Sequence, residues 1–294
     1  MSIRVTQTML NKNMMRNLSN SMGAMDKLQE QASSGRVISR PSDDPVIASR
    51  GMYYRTALAE NEQFQRNMNE AQAWMDTTDQ ALDEAVNLMH RAKELLVQSG
   101  GVLDDAARQA IAGELSQIRE QMGSVANKTI GGRYIFAGTE TKTQPFDPVT
   151  QTFTNQSADD INVELSKGIF LPINVQGVQV FNEPATDNIF KVLGDAVTIL
   201  NTGASATSVL DRVVSQTDNM LAVRATLGAR VNRLELISER LSTEEVSLNK
   251  LMSDNEDADM AEVITELKTQ ENVHRSALGV GARIIQPSLL DFLR

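Results

Sequence analysis

Apolar residues recur at alternating steps of three and four along most of this sequence, and this spacing constrains the fold more than any other feature. Near the start, Met15, Leu18, Met22 and Met25 occupy successive positions of such a stripe, and Leu28 lies beside it. This period places them along one side of an α-helix. A stripe this narrow is typical of a coiled-coil seam. An amphipathic helix of this kind must bury its apolar stripe against another element.

Two further stripes follow, one from Phe64 to Leu96 and one from Ile111 to Thr129. Each stops near a pair of glycines, Gly100 with Gly101 and Gly131 with Gly132. Glycine just past the last turn is a common way for a helix to end. Two long helices joined by a short glycine turn predict an antiparallel hairpin.

The stretch from 133 to 186 changes character, because alternation by two replaces the helical period. Short alternating runs bounded by glycine predict strands and hairpin turns. The predicted strands are Arg133 to Ala137, Ile161 to Leu165, Ile169 to Val175 and Val178 to Phe181, with an aromatic-flanked turn from Phe146 to Phe153. Strands so few and so short predict a small β insertion that packs against other elements.

The helical period returns near Asn188 and continues through a long stripe to Met252. The acidic stretch from Asp254 to Asp259 then supplies N-cap candidates for a last helix. That helix carries Met260, Ile264, Leu267, Leu278 and Ile285.

The predicted fold is mainly α with a small β insertion, in which long antiparallel helices from both chain ends form a coiled-coil or bundle core. We assign 1–42 and 255–294 to an inner core domain, 43–132 and 187–254 to a helical bundle domain, and 133–186 to the β insertion. We expect the terminal helices to pair with each other. We also expect them to be disordered in the free monomer, because each ordered residue costs about 1–2 kcal/mol of backbone entropy.

Composition excludes several functions. A net charge of −10 opposes general binding to nucleic acid or to anionic membranes, which requires a surplus of Lys and Arg. The chain has no cysteine, so disulfides, thiolate metal sites and cysteine nucleophiles are absent. No apolar run approaches the roughly 18 residues of a membrane span, and the start lacks the apolar centre of a secretory signal. If the protein is exported, we expect another route.

The sequence offers no convincing catalytic, cofactor or metal site. His90 and His274 lie in different predicted helices, without further ligands at metal-binding spacing. The acidic stretch before Met260 resembles the start of a calcium loop, but it lacks the loop glycine, and Thr265 stands where the closing glutamate belongs. We therefore predict a protein that is not an enzyme and holds no cofactor.

Two local patterns resemble the signatures of the flagellin family. The stretch from Ala32 to Pro45 resembles the N-terminal signature, with Asp44 as a helix N-cap and Pro45 at the first helical position. The stretches from Arg224 to Glu235 and from Asp257 to Glu262 resemble the C-terminal signature in order and spacing. With the helices around them, these patterns cover most of the chain outside the β insertion.

Within that family, Arg40 to Pro45, Gly131 to Thr139 and Pro287 to Leu293 are similar to the members at the hook–filament junction rather than to filament flagellins. The resemblance implies a structural subunit of the bacterial flagellum that forms a ring of its own copies between hook and filament. It also implies a hook-associated protein as neighbour on the hook side, flagellin on the filament side, and an export chaperone on the C-terminal helices. The protein would leave the cell unfolded through the flagellar type III system and act outside it.

From the stripes and the resemblance we derive two sets of candidate residues. The predicted assembly interface consists of Met15, Leu18, Met22, Met25, Leu28, Arg36, Arg40, Asp43 and Asp44. The predicted chaperone-binding and core helix contributes Leu267, Leu278, Ile284, Ile285, Leu289, Leu290, Phe292 and Leu293. Arg36, Arg40 and Arg50 flank the helix break and are either solvated charges or halves of ion pairs across subunits.

Three alternatives remain open from the residues alone. A short filament flagellin would share both signatures. A cytoplasmic coiled-coil scaffold would share the helical stripes, but it predicts polar, dispensable ends and no β insertion. An enzyme housed in the β insertion would need a nucleophile, a base and an orienting group, and the insertion offers no such set.

Overall fold

A computed structural model describes the backbone of residues 7–101 and 104–285. The predicted positions Leu289, Leu290, Phe292 and Leu293 lie outside these described residues, and so do the side chains of Ile284 and Ile285. The described residues separate into two compact units, a first unit up to residue 60 and from 245 onward, and a second unit from 61 to 244. The three-domain division drawn from the sequence stays a prediction.

Helices dominate both units, as predicted. In chain order they are α1 Gln7–Ser34, α2 Pro45–Gln98, α3 Asp105–Ala126, α4 Gly177–Phe181, α5 Ile189–Asn201, α6 Leu210–Glu256 and α7 Met260–Ile285, with a 3-10 turn at Ala206–Val209. The strands are β1 Thr129–Ile130, β2 Arg133–Tyr134, β3 Phe146–Asp147, β4 Thr152–Phe153, β5 Asn162–Ser166 and β6 Ile169–Pro172.

The first unit is built on the pairing of α1 with α7. Gln270 on α7 donates from Nε2 to the Ser21 hydroxyl on α1 at 3.2 Å. Further along, Gly281 lies against the side chain of Met14. Since the α7 number rises as the α1 number falls, the two helices run antiparallel. The prediction that the helices from the two ends pair with each other is confirmed.

In the second unit, α2 and α3 form the predicted antiparallel hairpin. Arg91 pairs with Glu114 at 2.6 Å, and Lys128 pairs with Glu84 at 3.4 Å. The predicted seam methionines fill the core between the helices of this unit, and Met75, Met89 and Met122 have no exposed surface. Their unbranched side chains suit an irregular core with few aromatic residues.

The β insertion consists of three two-stranded antiparallel pairs, β1 with β2, β3 with β4 and β5 with β6. The expectation of a strand through Arg133 to Ala137 is only partly right, because the strand ends at Tyr134. Ile135, Phe136 and Ala137 are all fully buried. Three consecutive buried side chains do not fit a strand with one face in solvent, where successive side chains point to opposite faces.

The predicted strand from Val178 to Phe181 is wrong, because these residues form the short helix α4. Gly177, Val180 and Phe181 are its buried residues. Their spacing of i, i+3 and i+4 is helical, so they share one face of the turn. The alternation of Val178 with Val180 predicted a strand because both periods fit so short a run.

Aromatic rings bind the β insertion to the helices. The rings of Phe136 and Phe181 meet edge to face with centroids 5.0 Å apart, and Phe146 lies 4.4 Å from Phe190 of α5. Gly123 of α3 allows Phe146 to approach, since a Cβ there would lie 2.7 Å from two of the ring carbons. The insertion is therefore packed onto the helices of the second unit through its own side chains.

Candidate assembly surface

The interface between α1 and α7 contains one stripe from each helix. On α1 the stripe consists of Met14, Leu18, Ser21, Met25 and Leu28, all buried or half-buried. On α7 it consists of Val263, Leu267, Gln270, His274, Ala277 and Gly281, again buried or half-buried. Steps of three and four in both helices match the seam of an antiparallel helix pair.

Two features of this interface bring the helices close and fix their register. A Cβ on Gly281 would stand 2.8 Å from the Met14 sulfur, so the absence of a side chain permits close contact. The Gln270 amide also approaches the Ser21 backbone carbonyl at 3.4 Å. A partly buried polar pair favours one register, because any other register leaves these groups without partners.

A second apolar face lies outside the interface. On α1 it includes Met15, which is 60% exposed, and Met22, which is 49% exposed. On α7, Ile264 and Leu278 are exposed as well. The stripe predicted on α1 is thus split, because the partner helix covers one edge of it and leaves the other edge to solvent.

The predicted site residues fall into both sets. Leu18, Met25, Leu28 and Leu267 lie in the helix-pair interface, whereas Met15, Met22 and Leu278 lie on the exposed face. The polar candidates Arg36, Arg40, Asp43 and Asp44 lie in the segment that joins α1 to α2. The structure therefore brings together the helix-pair residues and keeps the polar ones apart from them.

The segment after α1 is fixed by hydrogen bonds to the segment between α6 and α7. The Val37 amide donates to the Glu256 carbonyl at 2.8 Å, and the Ala258 amide donates to the Gly35 carbonyl at 2.9 Å. These two bonds frame an antiparallel bridge between Arg36 and Asp257. We call this arrangement the link staple, and it joins residues more than 200 positions apart in the sequence.

Glu256 forms the centre of the link staple. Its side chain is buried, its carboxylate pairs with Arg55, and it lies directly on the backbone of Gly51 in α2. Asn255 adds a bond from Nδ2 to the Ile47 carbonyl at 3.0 Å. The end of α6 is thereby held on the first turns of α2 within the first unit.

The acidic residues of both segments serve as caps. Asp44 accepts from the amides of Val46 at 2.8 Å and Ile47 at 3.2 Å, as predicted for the N-cap of α2. Asp259 accepts in the same way from Ala261 at 2.8 Å at the start of α7. Among the described residues no group of three His, Asp or Glu side chains is placed to hold a metal ion.

Sequence reasoning missed Gly51, Ser21 and Glu256. Glu256 was assigned to an acidic capping stretch, and its carboxylate instead reaches a different helix. The signal available was Gly51 itself, because a glycine inside a helical pattern often marks a close approach. No local pattern identifies the residue that approaches it.

A pair of terminal helices closed on each other in the first unit, and a helical hairpin with a β insertion in the second unit, define a flagellin-type subunit. The model of the bacterial flagellin N-terminal helical region matches residues 5–141, and that of the bacterial flagellin C-terminal helical region matches residues 197–293. Among the helices in the ranges described above, none is both long and apolar enough to cross a membrane.

Two relatives place the chain more closely. It is 30% identical over 292 residues to flagellar hook-associated protein 3 of Escherichia coli K12, covering 90% of this chain and 92% of that one. It is 28% identical over 295 residues to the protein of the same name in Salmonella typhimurium, covering 92% and 93%. The chain belongs to the flagellin family, in its hook-associated protein 3 group.

A solved structure supports the fold. The flagellar junction protein FlgL from Legionella pneumophila superposes with a TM-score of 0.60 at 17% sequence identity. The match covers 71% of this chain and 100% of that one. The identities to the two hook-associated proteins make the chain a flagellar component, and the superposition shows a shared fold.

Proposed function

We propose that the chain is a structural subunit of the hook–filament junction of the bacterial flagellum, and that it carries no enzymatic activity. The observation that carries this proposal is the exposed apolar face of α1 and α7, with Met15, Met22 and Leu278 on it. Both relatives at 28–30% identity are hook-associated proteins, and this favours the junction over a short filament flagellin.

The exposed face supports assembly because its apolar side chains remain in contact with water, and covering them lowers the free energy. Fully burying a Met or Leu side chain contributes roughly 1.5–3 kcal/mol, and covering one that is already half-buried contributes about half of that. Neighbouring copies in a ring would supply that cover. On this proposal the terminal helices stay disordered in the free monomer and order as the ring forms, which also delays polymerisation until after export.

The partners follow from the same group membership. A hook-associated protein would contact the ring on the hook side and flagellin on the filament side. An export chaperone would cover the exposed side of α7, including Ile264 and Leu278, until the chain leaves the cell by the flagellar type III route. The rival coiled-coil scaffold would stay inside the cell and need none of these contacts.

The test is complementation of a motile bacterium that lacks its own hook–filament junction protein. The wild-type chain should restore filaments on hooks, scored by electron microscopy and by filament protein lost to the medium. The double variant M15Q/M22Q should be exported at wild-type levels and fail to retain filaments, because it changes only the exposed face. The control S19Q/N20Q introduces the same residue at two exposed polar positions of α1 and should behave as wild type.

Failure of the wild-type chain to restore filaments would contradict the junction assignment. Full function of M15Q/M22Q would contradict the role of the exposed face. A chain found only in the cytoplasm, with normal motility in its absence, would support the scaffold instead.

A further inference from the structure

An open cleft of about 190 Å³ lies beside the link staple in the first unit. We call it the arginine cleft, and its lining includes Arg36, Arg40, Pro41, Met52, Arg55 and Glu256. Three guanidinium groups and one carboxylate therefore share a small space. The imbalance of charge is the first indication that the cleft receives something acidic.

The carboxylates near the cleft are already engaged. Glu256 pairs with Arg55, and the Asp43 carboxylate accepts from the Arg40 backbone amide at 3.0 Å. Asp257 accepts from the Ser253 hydroxyl at 2.6 Å. Over 7–101 and 104–285, the side chains of Arg36 and Arg40 make neither a hydrogen bond nor an ion pair.

The backbone that carries these two arginines is held in place before any partner arrives. Arg36 lies in the antiparallel bridge with Asp257, and Gln31 donates from Nε2 to the Val37 carbonyl at 2.7 Å. The Asp43 amide donates back to the Arg40 carbonyl at 3.0 Å. A fixed backbone reduces the conformational entropy lost when a partner binds.

The charge of the chain is distributed very unevenly between its units. The first unit has 13 basic and 14 acidic residues, a net charge of −1. The second unit has 15 basic and 24 acidic residues, a net charge of −9. Nearly all the net negative charge of a neighbouring copy, −9 of −10, therefore lies on the unit that does not contain the cleft.

We propose that the arginine cleft binds carboxylates on the second unit of a neighbouring copy of this chain, through Arg36 and Arg40. Arginine suits this contact because its planar fork donates two parallel hydrogen bonds to one carboxylate. This inference rests on the proposed function, since it names one contact between the subunits of the ring.

Three exposed carboxylates of the second unit are the strongest candidates. Asp76 on α2 and Glu235 and Glu239 on α6 form no hydrogen bond or ion pair through their side chains within the described ranges. Between the two glutamates lies Leu236, which is 69% exposed. An apolar side chain between two acids complements the cleft, where the exposed Met52 lies among arginines.

The test uses the full chain in assembled flagella, and the absence of natural cysteine makes disulfide trapping specific. Cells lacking their own junction protein would co-express two alleles, one with R40C and one with D76C, E235C or E239C. Mild oxidation of isolated flagella should give a covalent dimer with at least one of the three. R50C replaces R40C in the control, because Arg50 is exposed on α2 and does not line the cleft.

A second measurement tests the energy of the contact. The variant R36E/R40E should reduce the amount of the chain retained in isolated flagella at least about tenfold, because like charges placed together across an interface cost several kcal/mol. The control R50E reverses a charge outside the cleft. The amount of this variant retained in isolated flagella should stay within about twofold of wild type, because an exposed surface charge contributes little.

Full retention of R36E/R40E would overturn the inference while wild-type complementation still upholds the proposed function. Loss of retention without a disulfide dimer at any of the three positions would also overturn it, since the cleft would then bind a different chain. Failure of the wild-type chain to complement would refute the proposed function itself.

Discussion

Glu256 lies with its carboxylate directly on the helix backbone at Gly51, so that a side chain at position 51 would overlap it. A Cβ there would stand 3.0 Å from the Glu256 Cδ and closer still to one carboxylate oxygen. Arg55, one turn further along α2, pairs with the same carboxylate. The absence of a side chain at Gly51 therefore lets a buried charge reach its partner.

We expect Gly51→Ala to destabilise the first unit by about 1–3 kcal/mol, the usual cost of an added methyl group in a packed site. The Glu256 side chain would have to move and give up its pairing with Arg55. Urea unfolding of the chain assembled in isolated flagella, where α1 and α7 are ordered, with limited proteolysis of the segments around residues 40 and 257, would measure the loss.

Gly23→Ala is the matched control, because Gly23 lies inside α1 with open space around it. It should stabilise the protein by about 0.5–1 kcal/mol, since alanine restricts the unfolded chain more than glycine does. Equal effects of the two substitutions would mean that the contact with Glu256 is unimportant. The double variant G51A/E256A should cost less than the sum of its parts, because the obstructing side chain is gone.

A second pair of glycines tests how the β insertion is docked. We expect Gly123→Ala to cost about 1–3 kcal/mol, because the new methyl group would meet the Phe146 ring. Gly113 lies in the same helix with nothing nearby, so Gly113→Ala should be neutral or slightly stabilising. Unfolding in urea, monitored by near-ultraviolet circular dichroism, would distinguish the two variants. A G123A variant as stable as G113A would contradict the packing of Phe146 against α3.

The ion pair between Arg212 and Asp187 predicts a pH dependence. Arg212 donates from Nε to both carboxylate oxygens, at 2.8 and 3.0 Å. This hydrogen bonding from Arg212 lowers the pKa of Asp187 below its usual value. A carboxyl group with a lowered folded-state pKa stabilises the protein above its ordinary pKa of about 3.9, and that contribution disappears as the pH falls.

Asp187→Asn should therefore reduce stability at neutral pH and cease to matter once the pH falls well below about 4. The effect should be under about 1 kcal/mol, because the Asp187 side chain is one-third exposed and solvent screens the pair. Asp218→Asn, at an exposed position of α6, serves as control and should leave the unfolding curve unchanged at both pH values. A constant difference between wild type and D187N from pH 7 to pH 2.5 would count against this account.

The helices and their pairing could be predicted because their period is local and extends over many turns. The N-caps at Asp44 and Asp259 could be predicted equally well, since they depend on residues two or three positions away. The short helix α4 was not, because a run as brief as Val178 to Phe181 fits both periods. The residues that pack around this run determine whether it forms a helix or a strand, and those residues lie elsewhere in the sequence.

The candidate surface could be predicted only in outline. The apolar stripe on α1 was visible, but a stripe does not say which edge its partner covers, so Met15 and Met22 could not be separated from Leu18 and Met25. The contact of Glu256 with α2 depends on how the two ends of the chain meet. No spacing within either end contains that information.

The last prediction contrasts two aspartates near the junction of α6 and α7. Asp259 caps α7 by accepting from the amides of Ala261 and Glu262, at 2.8 and 3.3 Å. Asp254 lies in the last turn of α6, where a negative charge faces the negative end of the helix dipole. Replacing each aspartate by alanine should therefore change the stability of the adjoining helix in opposite directions.

Asp259→Ala should destabilise the start of α7 by about 1 kcal/mol, the usual cost of losing an N-cap. Asp254→Ala should instead stabilise the end of α6 by a few tenths of a kcal/mol. Amide hydrogen exchange of the chain assembled in isolated flagella, where α7 is ordered, would report the difference in the first turn of α7 as protection lost in D259A, by roughly fivefold, and kept in D254A. Unchanged exchange at the amides of Ala261 and Glu262 in D259A would mean that these amides do not depend on the cap.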